Sequence, residues 1–404
     1  MSSQTQTGNR SDRRPSGRTI GVSLFACDRG LSGIGRYMIN MMHHLLTAGT
    51  DHQWHVWIAD EDVKVFPFLT DDPPENLILH RVANRWNRPA LSLLWHAAIL
   101  PLAARRAGVD ALYLPAGNRR LVPFTPIPTV AVVHDLSSFH VDGKYDPARM
   151  FYIKRLMPWM IRQCERVITI SSSSAQDIEK FTSYPQDNLT IIGLGYDEQV
   201  FRPHDAETCR ATLKDHFANF PNRYLFYVSR VEHPGKNHIG LLRAYRQIIA
   251  DDPDFSHHLV FAGGDWNGAE IVNRAIGEFG LRDRVHMLGF VDDGLLPTLY
   301  GGADALIFPS LFEGFGLPII EAQAVGIPVA AADVSSIPEV AGDAALLFDP
   351  HDTAQMASAV RRVATDDATR EKLHIKGLEN VQRFTWQESA RRSLAILEEV
   401  SLAS

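Results

Sequence analysis

Two glutamates, Glu313 and Glu321, are separated by the seven residues Gly314-Phe315-Gly316-Leu317-Pro318-Ile319-Ile320. Ahead of them, Asp304-Ala305-Leu306-Ile307-Phe308-Pro309-Ser310 has the apolar run of a strand buried on both faces. Two glycines then free the backbone, and Pro318 stands where a proline suits the first turn of a helix. Gly326 ends that helix, Pro328 prevents its continuation, and Val329-Ala330-Ala331-Ala332 reads as the next strand. The order strand, glycine loop, short helix, strand puts the amides of Phe315, Gly316 and Leu317 at a helix N-terminus. Unpaired N–H groups and the helix dipole favour an anion there. Carboxylates aimed at that anion would repel it. They suit hydroxyls instead, as on a ribose or a hexose. The chemistry implied is recognition of a sugar joined to a phosphate.

Other candidate groups follow strands that the pattern predicts. The first strand, Thr19 to Ala26, leads into Cys27-Asp28-Arg29-Gly30-Leu31-Ser32-Gly33-Ile34-Gly35-Arg36-Tyr37 and a helix to Leu46. Such a loop can bring Gly33 and Gly35 close to a phosphate, or it can be a tight turn without a ligand; it does not fit the dinucleotide fingerprint G-x-G-x-x-G. Val130 to Val133 ends at His134-Asp135, a pair that could face a ligand or order a turn. Arg166 to Ile170 runs into four serines, and a serine there is a good N-cap. Tyr224 to Ser229 is followed by Arg230 and Lys236, then by a helix to Ile249. The spacing is not that of a Walker A loop, yet two cations beyond a strand end can neutralise a diphosphate. Val285 to Val291 reads as a further strand, and Asp292-Asp293 after it precedes a helix, where acids are favoured without a metal.

The glutamate-spaced stretch, with Gly326-Ile327-Pro328-Val329 after it, resembles the signature of the family-4 retaining glycosyltransferases, which have the GT-B fold. Gly33-x-Gly35-Arg36-Tyr37 resembles the N-terminal loop of the same family, and the resemblance covers Thr19 to Leu397. It implies an α/β chain of two Rossmann-like domains facing each other across a cleft, with a final helix crossing back. In that scheme Arg230, Lys236, the amides of Phe315, Gly316 and Leu317, and the loop at Gly33 and Gly35 meet the donor diphosphate. Glu313 orients the donor sugar, His134 faces it near the reacting carbon, Glu321 holds the ribose, and Val291 meets the base. The Ser171 turn lies on the rim of the cleft. The resemblance further implies retention of configuration and neither metal nor cofactor beyond the nucleotide diphosphate-sugar. Relatives usually have Pro-Asn-Gly-Val-Asp at the interdomain crossing; here Ile192-Gly193-Leu194-Gly195-Tyr196 stands in, so a different backbone is expected.

The elements that must position these groups fit a chain of 404 residues, long enough for two domains. The expected division is a disordered tail over 1–18, an acceptor domain over 19–200, a nucleotide-sugar domain over 201–385, and a returning helix over 386–404, opened by a capping box at Thr385-Trp386-Gln387-Glu388. Repeated strand–helix alternation implies parallel sheets covered on both faces. Composition is 45% hydrophobic and 22% charged, which argues against disorder, and the net charge of −7 argues against a general nucleic-acid binder. Three scattered cysteines suggest a reducing compartment, and neither disulfides nor a zinc site. The longest apolar stretch, Leu91 to Ala104, is shorter than the roughly 20 residues a bilayer requires.

Gly-x-Gly-Arg-Tyr and Val133-His134-Asp135-Leu136 look most like bacterial surface-polysaccharide mannosyltransferases, which makes GDP-mannose the expected donor. A glycan or polyprenyl-linked oligosaccharide is the expected acceptor. The expected location is the cytoplasm, with peripheral contact at the inner face of the membrane; Arg105-Arg106 and Arg119-Arg120 are either its basic contacts or solvated charge. The competing functions are a GT-B epimerase or phosphorylase and a non-catalytic nucleotide-sugar binding protein.

Overall fold

The computed structural model describes residues 17–140 and 147–402, and the expected tail lies outside them except at its last two positions. Those two are tied down: Gly17 N donates to Asp51 O and Arg18 N to His52 Nδ1. The first sheet contains β1 (Thr19–Ser23), β2 (Gln53–Ala59), β3 (Leu77–Val82), β4 (Ala111–Leu114), β5 (Thr129–Val132), β6 (Arg166–Thr169) and β7 (Leu189–Ile191), in the order β3-β2-β1-β4-β5-β6-β7. The second contains β8 (Tyr224–Val228), β9 (His258–Ala262), β10 (Val285–Met287), β11 (Ala305–Phe308), β12 (Val329–Ala332) and β13 (Leu346–Phe348), in the order β10-β9-β8-β11-β12-β13. All the strand pairs described are parallel. Both orders are those of a Rossmann-like sheet, as the GT-B reading requires.

The apolar runs explain the layering. β4, β5, β11 and β12 are buried at every position, because helices cover both faces of a parallel sheet. Among the described residues the chain forms two compact units, one of 17–131, 163–166 and 393–402, the other of 132–162 and 167–392. In the first, Tyr37 and Tyr113 share a buried hydroxyl–hydroxyl bond of 2.8 Å. The last helix, Trp386–Leu402, contributes Glu398 to His52 at 2.9 Å and Glu399 to Arg166 at 2.5 Å there.

Three local expectations need correction. The first strand stops at Ser23, because Ala26, Asp28 and Arg29 take left-handed φ values of 64, 51 and 53°. The strand expected over Val285 to Val291 ends at Met287, with Gly289 turning at φ 69°. The capping box before the last helix is half formed. Glu388 N donates to Thr385 Oγ1, but the Glu388 carboxylate binds Arg391 bidentately instead of reaching back. At the crossing, a Cβ on Gly195 would lie 2.2 Å from Trp386 N, so close backbone approach requires glycine there.

Several histidines are buried neutral. His96 donates Nδ1–H to Ser92 O and accepts from Ser23 at Nε2, and burial pushes it down to about 3. Burial likewise pushes His238 and His257 down to about 4. The unfolded chain takes up these protons as pH falls through about 6.5, while the native state does not until about 4 or below. Their contribution is therefore complete above about pH 6.5 and is lost on acidification, at up to about 1.4 kcal/mol per pH unit per histidine. Urea unfolding at pH 7 and pH 5 should show the lower midpoint at pH 5; an equal or higher midpoint there would contradict the buried neutral assignment.

Candidate active site

β8 and β11 are neighbours, and the order of the second sheet reverses between them, with β9 outside one and β12 outside the other. Loops leaving the carboxyl ends of two such strands part to opposite faces and leave a crevice for a ligand. The loop after β8 carries Arg230 and Lys236; the loop after β11 carries Glu313 to Leu317. Lys236 Nζ donates to Glu313 Oε1 at 2.7 Å, and both side chains are mostly buried. Tyr227 of β8 donates to Lys236 O at 2.7 Å, and Leu311 N to Gly235 O at 2.9 Å, so the two loops are fixed to each other.

The Glu313–Leu317 turn is held from several sides. The buried Ser336 hydroxyl reaches both Glu313 O and Phe315 O at 2.9 Å, and Glu313 N donates to Ser335 Oγ at 3.0 Å. Ser171, the N-cap of helix Ser172–Thr182, donates its hydroxyl to Gly314 O at 2.7 Å. Gly314 lies against the end of β5: a Cβ there would sit 2.9 Å from Asp135 Cβ and 3.1 Å from His134 O. His134 itself is buried, and its carbonyl accepts from Ser174 Oγ at 2.9 Å.

Gly316, at φ 107°, is the N-cap of helix Leu317–Val325, and no side chain caps it. The amides of Phe315, Gly316 and Leu317 donate to no acceptor among the described residues. Three consecutive open donors at a helix N-terminus, beside a lysine, make a ready anion site. Pro318 at the second helical position has no N–H to leave unpaired.

The remaining candidates are placed differently. Arg230, half-exposed, donates to Glu232 Oε2 at 3.1 Å and lies over the Trp266 ring, 4.8 Å from its centroid. Glu321 is buried, and its Oε2 accepts from the Tyr300 hydroxyl at 2.7 Å. Val291 is buried beside exposed Phe290, on a recess of about 430 Å³ that His216, Phe217 and Leu295 also line. Gly33 and Gly35 belong to the other compact unit. Gly35 N donates to Ser32 Oγ, and a Cβ on Gly35 would meet Cys27 O at 2.2 Å, whereas Gly33 has open space around it. Asp292 N-caps the turn that follows it by accepting from Gly294 N. Among the described residues no three metal-ligating side chains gather.

Sequence reasoning missed Tyr300, Trp266 and the Ser335-Ser336 pair. It read Ser171 as a cap without its bond to Gly314. Each of these partners is distant in the chain, so only the Ser-Ser-Ile-Pro helix start after β12 left a local trace.

Residues 31–200 match the family model described as Glycosyltransferase Family 4, and residues 211–379 match Glycosyl transferases group 1. The O-antigen chain mannosyltransferase B of Escherichia coli is 27% identical over 367 residues, covering 90% of this chain and 95% of that protein. The serotype-specific mannosyltransferase WbdA of Escherichia coli is 29% identical over 281 residues, covering 68% of this chain but 34% of its own length. The crystal structure of Anabaena Alr3699/HepE in complex with UDP and glucose superposes with a TM-score of 0.72 at 18% identity, over 95% of this chain and 100% of that one. The chain belongs to the family-4-like glycosyltransferases of the GT-B fold.

The held turn yields a test. Ser171→Ala removes a helix cap and the donor to Gly314 O together, and should lower stability by about 1–3 kcal/mol. Chemical denaturation of the purified variant measures it; a midpoint equal to the parent protein's would show that the turn does not depend on Ser171.

Proposed function

We propose that the protein transfers a mannosyl group from GDP-mannose, with retention and without a metal, to a glycan carried on a lipid during surface-polysaccharide synthesis. The observation that carries this reading is the run of open amides at Phe315, Gly316 and Leu317 beside the Lys236–Glu313 pair. The mannosyl assignment draws on the mannosyltransferase relatives, which include a protein matched along nearly its whole length. The HepE structure holds UDP and glucose on the same fold, so the fold alone does not select the nucleotide.

In the proposed step the bond from the anomeric carbon to the diphosphate oxygen breaks, and a bond to the acceptor oxygen forms on the same face. The acceptor's proton passes to the departing phosphate. Negative charge grows on that oxygen, and donors already aimed at it lower the barrier; one such donor typically contributes a factor of about 10²–10³ in rate. The three amides, Lys236 and Arg230 supply this charge stabilisation. Glu313 accepts from sugar hydroxyls once Lys236 turns to the phosphate, and Glu321 accepts from the ribose. His134 lies beside the sugar, and Val291 borders the base. A lipid carrier on the acceptor would hold the protein at the inner membrane face.

Glu313→Ala should reduce transfer from GDP-mannose by at least about 10²-fold in a variant that remains folded, although stranding Lys236 lowers its unfolding free energy by about 1–3 kcal/mol. Product analysis of the parent protein with and without acceptor accompanies this assay. Full turnover by the folded variant, or sugar conversion that needs no acceptor, would overturn the reading.

A further inference from the structure

From Ile78 to Val109 the chain contains no acidic residue, although the whole carries 47 acids against 40 bases. The same stretch holds Arg81, Arg85, Arg88, Arg105 and Arg106. Between Arg88 and Arg105 there is no charged side chain. This uncharged part lies within a continuous helical segment, Pro89–Arg106, whose middle turn, Trp95–Ile99, is a π-helix. His96, its one histidine, is buried and turned to Ser23 and Ser92.

The segment is amphipathic in an unusual sense. Its inner face buries Trp95, Leu100, Pro101 and Ala104. Its outer face is not polar: Ala90, Leu94, Ala98, Leu102 and Arg106 recur every four residues and are all exposed, Leu94 at 54% and Leu102 at 55%. Ile99 is exposed beside them. From Ala90 to Leu102 the helix rises about 18 Å, so a bare aliphatic ridge of that length is closed at both ends by arginines. Arg85, Arg88, Arg105 and Arg106 make no ion pair among the described residues, whereas Arg81 binds Asp60. The second basic pair expected at a membrane, Arg119-Arg120, is engaged internally: Arg119 binds Asp28 and Ala26 O, and Arg120 binds Ser92 and Arg119 O.

We propose that the outer face of Pro89–Arg106 is a docking surface for an anionic lipid bilayer, lying in the interface with Leu94, Ile99 and Leu102 inserted and the terminal arginines on headgroup phosphates. Charge decides the occupant. An aliphatic ridge with cations at both ends matches acyl chains under phosphate groups. A second copy packed antiparallel would set Arg85 and Arg88 against the other copy's Arg105 and Arg106. The proposal deepens the reading that the acceptor is lipid-borne, but it needs neither donor nor acceptor to be tested.

Co-sedimentation of the full chain with vesicles of phosphatidylcholine and phosphatidylglycerol, against phosphatidylcholine alone, tests it. Binding should occur on the anionic vesicles and fall as salt rises. Leu94→Glu/Leu102→Glu should abolish it, and Arg105→Gln/Arg106→Gln should weaken partitioning by about tenfold or more. All three proteins should transfer mannose to a short soluble acceptor equally well, which separates this proposal from the transferase reading. No binding by the parent protein, equal binding by the leucine variant, or a concentration-dependent dimer that the leucine variant abolishes would each overturn it.

Discussion

The Lys236–Glu313 ion pair is the interaction on which the candidate site turns. Both members are mostly buried, and the proposed transfer uses both: the lysine for the donor phosphate, the carboxylate for the donor sugar. A partly buried charge left alone is costly, so in the free protein each satisfies the other. Glu313 lies two residues before the first open amide, that of Phe315, so its lysine partner sits at the same turn. In the proposed donor complex a diphosphate replaces Glu313 as the partner of Lys236 and frees the Glu313 carboxylate to accept hydrogen bonds from sugar hydroxyls. Cation and carboxylate are thus presented together without either being stranded in the empty site.

This exchange requires that the turn itself not move. Ser336 ties Glu313 O and Phe315 O from one side, and Ser171 ties Gly314 O from another. The missing side chain at Gly314 lets the backbone lie against Asp135 and the His134 carbonyl. Beneath the turn, β11 and β12 form the buried middle of the second sheet, so the helix N-terminus is set by a rigid scaffold. Preorganised amides stabilise a developing charge because they need no reorientation as it appears.

Much of this was legible in the sequence, for identifiable reasons. Buried parallel strands are apolar throughout, so Ala305–Phe308 and Val329–Ala332 announced themselves, and Pro318 with Gly326 bracketed the helix between them. Strand ends were less legible. The left-handed run at Ala26, Asp28 and Arg29 involves residues that carry no obligatory turn signature, so β1 read three residues too long. Pairings were least legible of all. Tyr300 against Glu321, Trp266 under Arg230 and Ser171 on Gly314 join residues that share no local pattern. The apolar stretch at Leu91 to Ala104 was visible as composition, but that its outward side is bare could be learned only from burial.

In the proposed donor complex Lys236 passes from Glu313 to the diphosphate. Titration calorimetry of GDP into the parent protein and into a Lys236→Met variant tests it most directly. Loss of a charge-assisted bond to phosphate, worth roughly 1.5–3 kcal/mol, predicts affinity at least about tenfold weaker in the variant. GDP affinity within twofold of the parent protein's would mean that the lysine stays with Glu313 and does not bind the donor phosphate.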